Sequence, residues 1–283
     1  MQSIPRRPAL FDTMTELPRA GLEATRLALS LPSLYRGMPR GDGHPVLVLP
    51  AYGTGDLGLW PLRRFLEGLG YVALESALGT NLDRGELRIR RVEDAARFRR
   101  VQSERVVRRA REICEQTGEK PSLVGWSMGG LFAFDAARLA PDAVRRAVTL
   151  GSPFGDPRGT SMWDVMRRIS GSRVPPEEQD FETWLRPVAS DDASPAAPVT
   201  ILYSERDGIV GEDAARIDEK AARSAATHDL LGVRYERIAS SHLGFAVNRE
   251  AYRAIAWALA AEPRPEPAAS PASPRDPGPE RDD

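Results

Sequence analysis

Apolar and polar residues alternate in blocks along the chain, and the period of each block predicts an element. Leu17, Ala20, Ala24, Leu27, Ala28 and Leu31 recur at helical spacing, so an amphipathic helix is expected to precede the core and pack on its surface. Its polar face mixes both signs of charge and carries no aromatic anchor, which favours packing over membrane attachment. After the breaker cluster Arg40-Gly41-Asp42-Gly43, PVLVLP (45–50) is a continuous apolar run, as expected of a strand buried on both faces. LWPLRRFLEGLG then predicts a helix ending at Gly70, and YVALES (71–76) a strand, followed by a polar connection through Gly79, Asn81 and Gly85. A long helix is expected from about Val92 to about Thr117, a strand at PSLVGW (121–126), a helix at MGGLFAFDAARLA (128–140) and a strand at RRAVTL (145–150).

Strands that alternate with helices need crossover connections, so the fold class is α/β, a mostly parallel sheet flanked by helices. The pattern lapses between Ser152 and Pro198, where Met162, Trp163, Met166, Phe181 and Trp184 are scattered among prolines. This segment predicts a short cap, about 152–197, inserted after the strand at 145–150. The alternation resumes with VTILYS (199–204), a helix around Asp213–Arg223, the strand VRYERIA (233–239) and a closing helix from about Asn248 to Ala260. The organisation expected is an N-terminal helical extension (1–43), an α/β domain (44–261) and a disordered tail (262–283), the last with seven prolines and no apolar periodicity.

Composition narrows the function. The chain has 283 residues, 41% of them hydrophobic, enough for a sizeable core, and its formal charge of -1 offers no global field to recruit nucleic acid or anionic lipid. A run from Arg84 to Arg111 holds eleven arginines, but only Lys120 and Lys220 of the 39 basic residues are lysines, so arginine is the general surface cation. Val106, Val107, Ala110, Ile113 and Cys114 recur at helical spacing within the run, which leaves its arginines to form a solvated opposite face. Cys114 is the only cysteine, so neither an intrachain disulfide nor a cysteine-rich metal site can form, and its place on the apolar side predicts a buried, inert thiol. No secretory signal follows Arg6 and Arg7, and no run approaches the roughly 20 apolar residues of a spanning helix. A cytoplasmic location without stable membrane insertion is expected. No internal repeat or glycine-rich phosphate loop is present, and three scattered histidines give no ligand cluster, so no cofactor or metal is expected.

Candidate chemistry centres on Gly125-Trp126-Ser127-Met128-Gly129, a GxSxG pattern between a predicted strand and a predicted helix. Glycines on either side would let the chain turn sharply and present the Ser127 hydroxyl above the sheet edge, while Gly130 would let the helix approach the sheet. The alternative is an ordinary helix N-cap, for which serine is suited. A nucleophilic serine needs a base, and of the three histidines only His242, in ASSHLGF (239–245), falls just past a strand on the same sheet edge. His44 precedes the first strand, at the opposite end, and His228 lies near a helix terminus. An orienting carboxylate is offered by YSERDGIV (203–210) as Glu205 or Asp207. Asp207 is preferred, because Gly208 turns the chain while Ile209 and Val210 return it to the core. The oxyanion of an acyl intermediate needs two amides, for which Met128 and Tyr52, in the loop VLVLPAYGTGD (46–56), are the candidates.

With these residues placed, the chain resembles the α/β-hydrolase superfamily over roughly residues 44 to 260. VLVLPAYGTGD, GTNLDRGE (79–86), GWSMGG (125–130) and TLGSPFG (149–155) are similar to its lipase-like and esterase-like branch. Many members have His-Gly where this chain has Pro50-Ala51, and no HGGG motif occurs, so the oxyanion loop is of the shorter type. The resemblance implies a serine hydrolase of carboxylic esters working through an acyl-enzyme, with Ser127, Asp207 and His242 as its triad, and the aromatic and methionine content of the expected cap points to a small ester or acyl compound with an apolar acyl part as substrate. Acyl transfer or thioester cleavage on the same triad is the alternative, followed by a non-catalytic binding protein with this fold. Oligomeric state is not encoded in any pattern found.

Overall fold

The computed structural model describes residues 5–163, 180–185, 197–217 and 232–261. The segments expected as strands form β1 (Pro45–Leu49), β2 (Val72–Glu75), β3 (Ser122–Trp126), β4 (Arg146–Leu150), β5 (Val199–Tyr203) and β6 (Val233–Arg237). The helices are α1 (Leu10–Met14), α2 (Glu16–Arg36), α3 (Trp60–Leu69), α4 (Val92–Thr117), α5 (Met128–Leu139), α6 (Phe181–Leu185) and α7 (Arg249–Ala260). All six strands lie in one sheet, in the order β2-β1-β3-β4-β5-β6, and each neighbouring pair is parallel.

Position in the sheet explains each strand's composition. β1, β3 and β4 are buried at every residue because helices cover both faces, which is why apolar residues dominate them. β2 and β6 are the edges and are partly exposed, so polar residues interrupt them. Side chains leave alternate faces of each strand. Val46, Val48, Val124, Trp126, Val148 and Leu150 pack with Leu62, Phe65, Tyr252 and Ile255 of α3 and α7. Leu47, Leu49, Leu123, Ala147 and Ile201 pack on the other face with Phe98, Val106, Phe132 and Phe134 of α4 and α5.

Strand order also fixes where a ligand can enter. From β1 the chain steps outward to β2, and α4 then carries it back to β3 on the other side of β1. The loops after β1 and β3 therefore diverge, which opens a crevice at their carboxyl ends.

Three features depart from the sequence reading. The first concerns α2, whose spacing predicted Leu17 and Ala28 on the packed side. Leu17 is 75% exposed and Ala28 is also exposed, whereas Glu16, Leu27 and Leu34 are buried. The helix is rotated because carboxylates at 16 and 23 meet backbone donors of the core. Second, Arg97, Arg100, Arg105 and Arg108 are exposed as the solvated face requires, but Arg99 is buried. Its Nε and Nη2 donate to Asp135 of α5 at 2.7 and 2.6 Å, and the Ser103 hydroxyl donates to the same carboxylate at 2.9 Å. Third, Cys114 is only half-buried, its thiol donating to the Ala143 carbonyl, and burial raises its pKa.

Of the segment read as a cap, several described residues pack into the main core. Phe181, Trp184 and Leu185 join Phe154 in the α4/α5 layer. The Trp184 indole donates to the Gly155 carbonyl at 3.0 Å, and Arg99 donates to the Trp184 carbonyl at 3.3 Å. Met166 and the rest of 164–179 and 186–196 lie outside the described residues, as does the tail at 262–283. Of the helix expected around Asp213–Arg223, residues 213–216 form a turn and a bend, Ile217 is irregular, and the remainder lies outside the described residues.

Candidate active site

Ser127 sits between the last residue of β3 and the first of α5, with φ 53° and ψ -119°. Apart from Ala77 it is the one non-glycine residue with positive φ among the described residues. A side chain in that region costs on the order of 1–3 kcal/mol and persists where the surroundings impose it. Those surroundings are tight. A Cβ at Gly125 would lie 2.3 Å from the Gly129 carbonyl oxygen, and one at Gly129 would lie 2.5 Å from that of Leu49. Both contacts are with backbone, so glycine is required at each place. The Ser127 side chain does not cap α5. The N-cap alternative therefore fails on geometry, and the hydroxyl is free for another partner.

That partner is His242. Its Nε2 lies 3.0 Å from Ser127 Oγ, and its Nδ1 lies 2.8 Å from Asp207 Oδ2. Because a carboxylate only accepts, Nδ1 carries the proton and bare Nε2 faces the hydroxyl. Asp207 is 2% exposed, and its Oδ1 accepts from the amides of Ile209 and Val210 at 2.8 and 2.7 Å. The turn at Gly208 thus aims one carboxylate oxygen at the imidazole and anchors the other. Burial alone would lower the His242 pKa, but the charge and hydrogen bond of Asp207, helped by the charge of Glu16, hold it above the ordinary value of 6.5.

The remaining candidates separate cleanly. Glu205 points outward and pairs with Arg237 at 2.6 Å. His228 lies outside the described residues. His44 sits at the other end of the sheet, in a constellation of the same residue types: Nδ1 donates to Asp42, and Nε2 lies 2.8 Å from Ser122 Oγ. Here Ser122 is a fully buried strand residue. It has neither the positive φ of Ser127 nor a helix N-terminus behind it, so this row is a satisfied buried histidine rather than a reactive centre. Burial lowers the His44 pKa and keeps the ring neutral.

On the oxyanion side, Met128 is the first residue of α5, so its N–H has no acceptor within the helix. The Pro50 carbonyl would lie 2.6 Å from a Cβ at Gly129, which brings the loop carrying Tyr52 against the first turn of α5. Tyr52 is anchored by its side chain, whose hydroxyl donates to Asp83; burial first, then Asp83, raises its pKa and keeps the phenol protonated. Asn81, fully buried, braces the same loop: its Nδ2 donates to the Pro50 carbonyl at 3.0 Å, and backbone bonds join it to Gly53 and Thr54. The sequence marked Asn81 and Asp83 only as part of a polar connection. Glu16 and Glu23 were likewise unmarked, yet both carboxylates reach the His242 loop. A carboxylate on a predicted surface helix carries no sequence signal of that kind.

Among the described residues no group of three or more His, Cys, Asp or Glu is arranged to hold a metal ion, and no described helix is long and apolar enough to cross a membrane.

Known proteins bear on this geometry through the fold. A family model described as alpha/beta hydrolase fold matches residues 88–189. No curated protein matches the sequence. Among solved structures, the chain is similar to a putative non-heme bromoperoxidase from Mycobacterium tuberculosis H37Rv, at 16% identity over 78% of this chain and 92% of that one, with a TM-score of 0.50. It is also similar to lipase B from Aspergillus fumigatus, at 18% identity over 82% of this chain, with a TM-score of 0.50. It spans 57% of that lipase's length. At such identities the likeness concerns architecture, and it agrees with the parallel sheet and with the strand-turn-helix at Ser127: the chain has the alpha/beta hydrolase fold.

Proposed function

We propose that the chain is a serine hydrolase of carboxylic esters, with residues 44–261 as the hydrolase unit. One observation carries the reading: a strained serine that caps nothing faces an imidazole whose far nitrogen is held by a buried carboxylate. Ser127 Oγ attacks the acyl carbon as His242 Nε2 takes its proton, and Asp207 holds the tautomer and stabilises the imidazolium. The amides of Met128 and Tyr52 receive the developing oxyanion. His242 returns the proton to the leaving alcohol, and water then releases the acid by the same route reversed. The arrangement acts on a small acyl compound. Phe181 and Trp184 are committed to the core, so acyl preference is set by other residues.

The test is labelling by a fluorophosphonate probe, followed by turnover of nitrophenyl esters from short to long acyl chains. The parent is expected to label and turn over, and Ser127→Ala to do neither while remaining folded. A folded parent that does not label defeats the proposal. Product analysis with added alcohols and with thioesters distinguishes hydrolysis of esters from acyl transfer and thioester cleavage on the same residues.

A further inference from the structure

We infer that Glu16, on the helix that precedes the hydrolase core, is a positioning residue that clamps the Asp207 turn and the His242 loop in one geometry. The inference deepens the proposed function and rests on it for its catalytic meaning. Glu16 is 5% exposed. Its Oε1 accepts from the amide of Gly208 at 2.7 Å and from that of His242 at 3.0 Å, and its Oε2 accepts from Leu243 at 2.9 Å. A single carboxylate thus holds the residue after the acid and the backbone of the base itself. These two loops leave different strands, β5 and β6. Ser204 and Ser240 tie them nearer the strand ends, the Ser204 hydroxyl donating to the Ser240 carbonyl at 2.7 Å. Nearer Ser127 the two loops meet through the Asp207–His242 side-chain contact, and Glu16 ties together their backbones there.

The surroundings are built around the clamp. A Cβ at Gly208 would lie 2.4 Å from the Asp12 carbonyl oxygen, so the α1 segment presses on the acid turn, and the Thr13 hydroxyl donates to the Gly208 carbonyl at 2.6 Å. One helical turn pair further along α2, Glu23 accepts from the Ser241 amide at 2.9 Å, the Ser240 hydroxyl at 2.9 Å and Asn248 Nδ2 at 2.8 Å. Charge-assisted bonds of this kind offset the cost of burying a carboxylate. The charged groups that the contacts place about Glu16 are Arg19 of α2, which also reaches Asp12 of α1 and the Arg206 carbonyl of the acid turn, and His242, on whose ring the charge of Glu16 acts. Arg19 is the nearest cation, donating to Oε1 at 3.0 Å. The negative charge of Glu16 also favours the imidazolium that forms during reaction.

The experiment follows the His242 ring by nitrogen-15 NMR in the full chain, its resonances assigned by their loss in His242→Asn. Glu16→Gln keeps the size and one acceptor oxygen but removes the charge. Its His242 titration is expected to move to lower pH by about half a unit or more. Displacement of the base is expected to lower kcat about tenfold or more, with KM within about twofold. A purely structural role would lower the melting temperature and leave the titration in place. If Glu16→Gln does not fold, Arg19→Gln removes the compensating cation from the solvent side and is expected to move the titration upward. A titration that coincides with the parent's in the variant that folds overturns the inference, as does, in an active parent, an unchanged kcat in a folded Glu16→Gln. The titration needs no substrate, so a parent inert toward esters defeats the hydrolase reading separately.

Discussion

The indole Nε1–H of Trp126 donates to the backbone carbonyl of His242 at 3.0 Å, so the residue that precedes the candidate nucleophile also holds the residue that faces it. Trp126 is 7% exposed and lies in the α3/α7 core layer. The elbow and the base loop are therefore registered to each other through a buried side chain as well as through the Ser127–His242 contact. On its other side the His242 backbone is held by Glu16. The imidazole is thus placed by its own main chain, the preorganisation that the proposed reaction requires.

Strain at Ser127 has a measurable signature. Ser127→Gly and Ser127→Ala both remove the hydroxyl, and both are expected to abolish fluorophosphonate labelling. They differ in backbone. At φ 53° glycine relieves the strain, so Ser127→Gly is expected to be more stable than Ser127→Ala by about 1 kcal/mol in urea unfolding. Equal stability, or greater stability of the alanine variant, would show that the elbow imposes no strain.

The two acids of the 203–210 segment divide by geometry. Asp207→Asn cannot accept the Nδ1 proton in the same way and leaves the wrong tautomer, so kcat is expected to fall by about four orders of magnitude. Glu205→Gln breaks only an exposed pair with Arg237 and is expected to leave kcat within about twofold. Steady-state kinetics on both variants checks the assignment; the reverse order of losses would move the acid to Glu205.

The pH dependence follows from the sign of the His242 shift. Its pKa is raised above 6.5, so the ring is protonated, and unable to act as base, up to a higher pH than an ordinary histidine. The acid limb of kcat/KM is expected to have its midpoint above pH 6.5. By linkage, the same shift adds stability that is fully present below the unfolded value and is lost as pH rises through the folded one. A pH profile with its midpoint below 6.5 would contradict the electrostatics described.

Arg99 and Asp135 join α4 to α5 in a buried pair whose side chains are 5% and 0% exposed. Asp135→Ala strands the guanidinium and is expected to cost about 3–5 kcal/mol of unfolding free energy. Replacing both by apolar residues, as in Arg99→Met with Asp135→Leu, is expected to recover most of it. Denaturant midpoints of the single and double variants provide the comparison, and additive losses would count against a buried ion pair.

Much of this architecture is legible in local pattern. The apolar run at 45–50 and the mainly apolar segments at 121–126 and 145–150 became the fully buried strands β1, β3 and β4, because burial on both faces favours apolar side chains and leaves only Ser122, Arg146 and Thr149 as polar positions in β3 and β4. The long helix expected from about Val92 to about Thr117 is present and runs Val92–Thr117. The glycines around Ser127 were legible for a similar reason, since a backbone contact at 2.3–2.6 Å excludes every side chain and leaves its mark in the residues themselves.

Side-chain direction was less legible where charge meets backbone. Periodicity says which positions of α2 share a face but not which face turns inward, and it assigned Leu17 to the core where Glu16 belongs. Arg99 follows the same logic on α4, since nothing within the helix announces Asp135. Chain order thus determined the strands, most of the described helices and the sharp turn at Ser127, because those depend on short-range spacing and close backbone contact. Only the folded molecule decided that a carboxylate near the N-terminus would reach both Gly208 and His242, because its partners are amides, which every sequence supplies and no sequence marks.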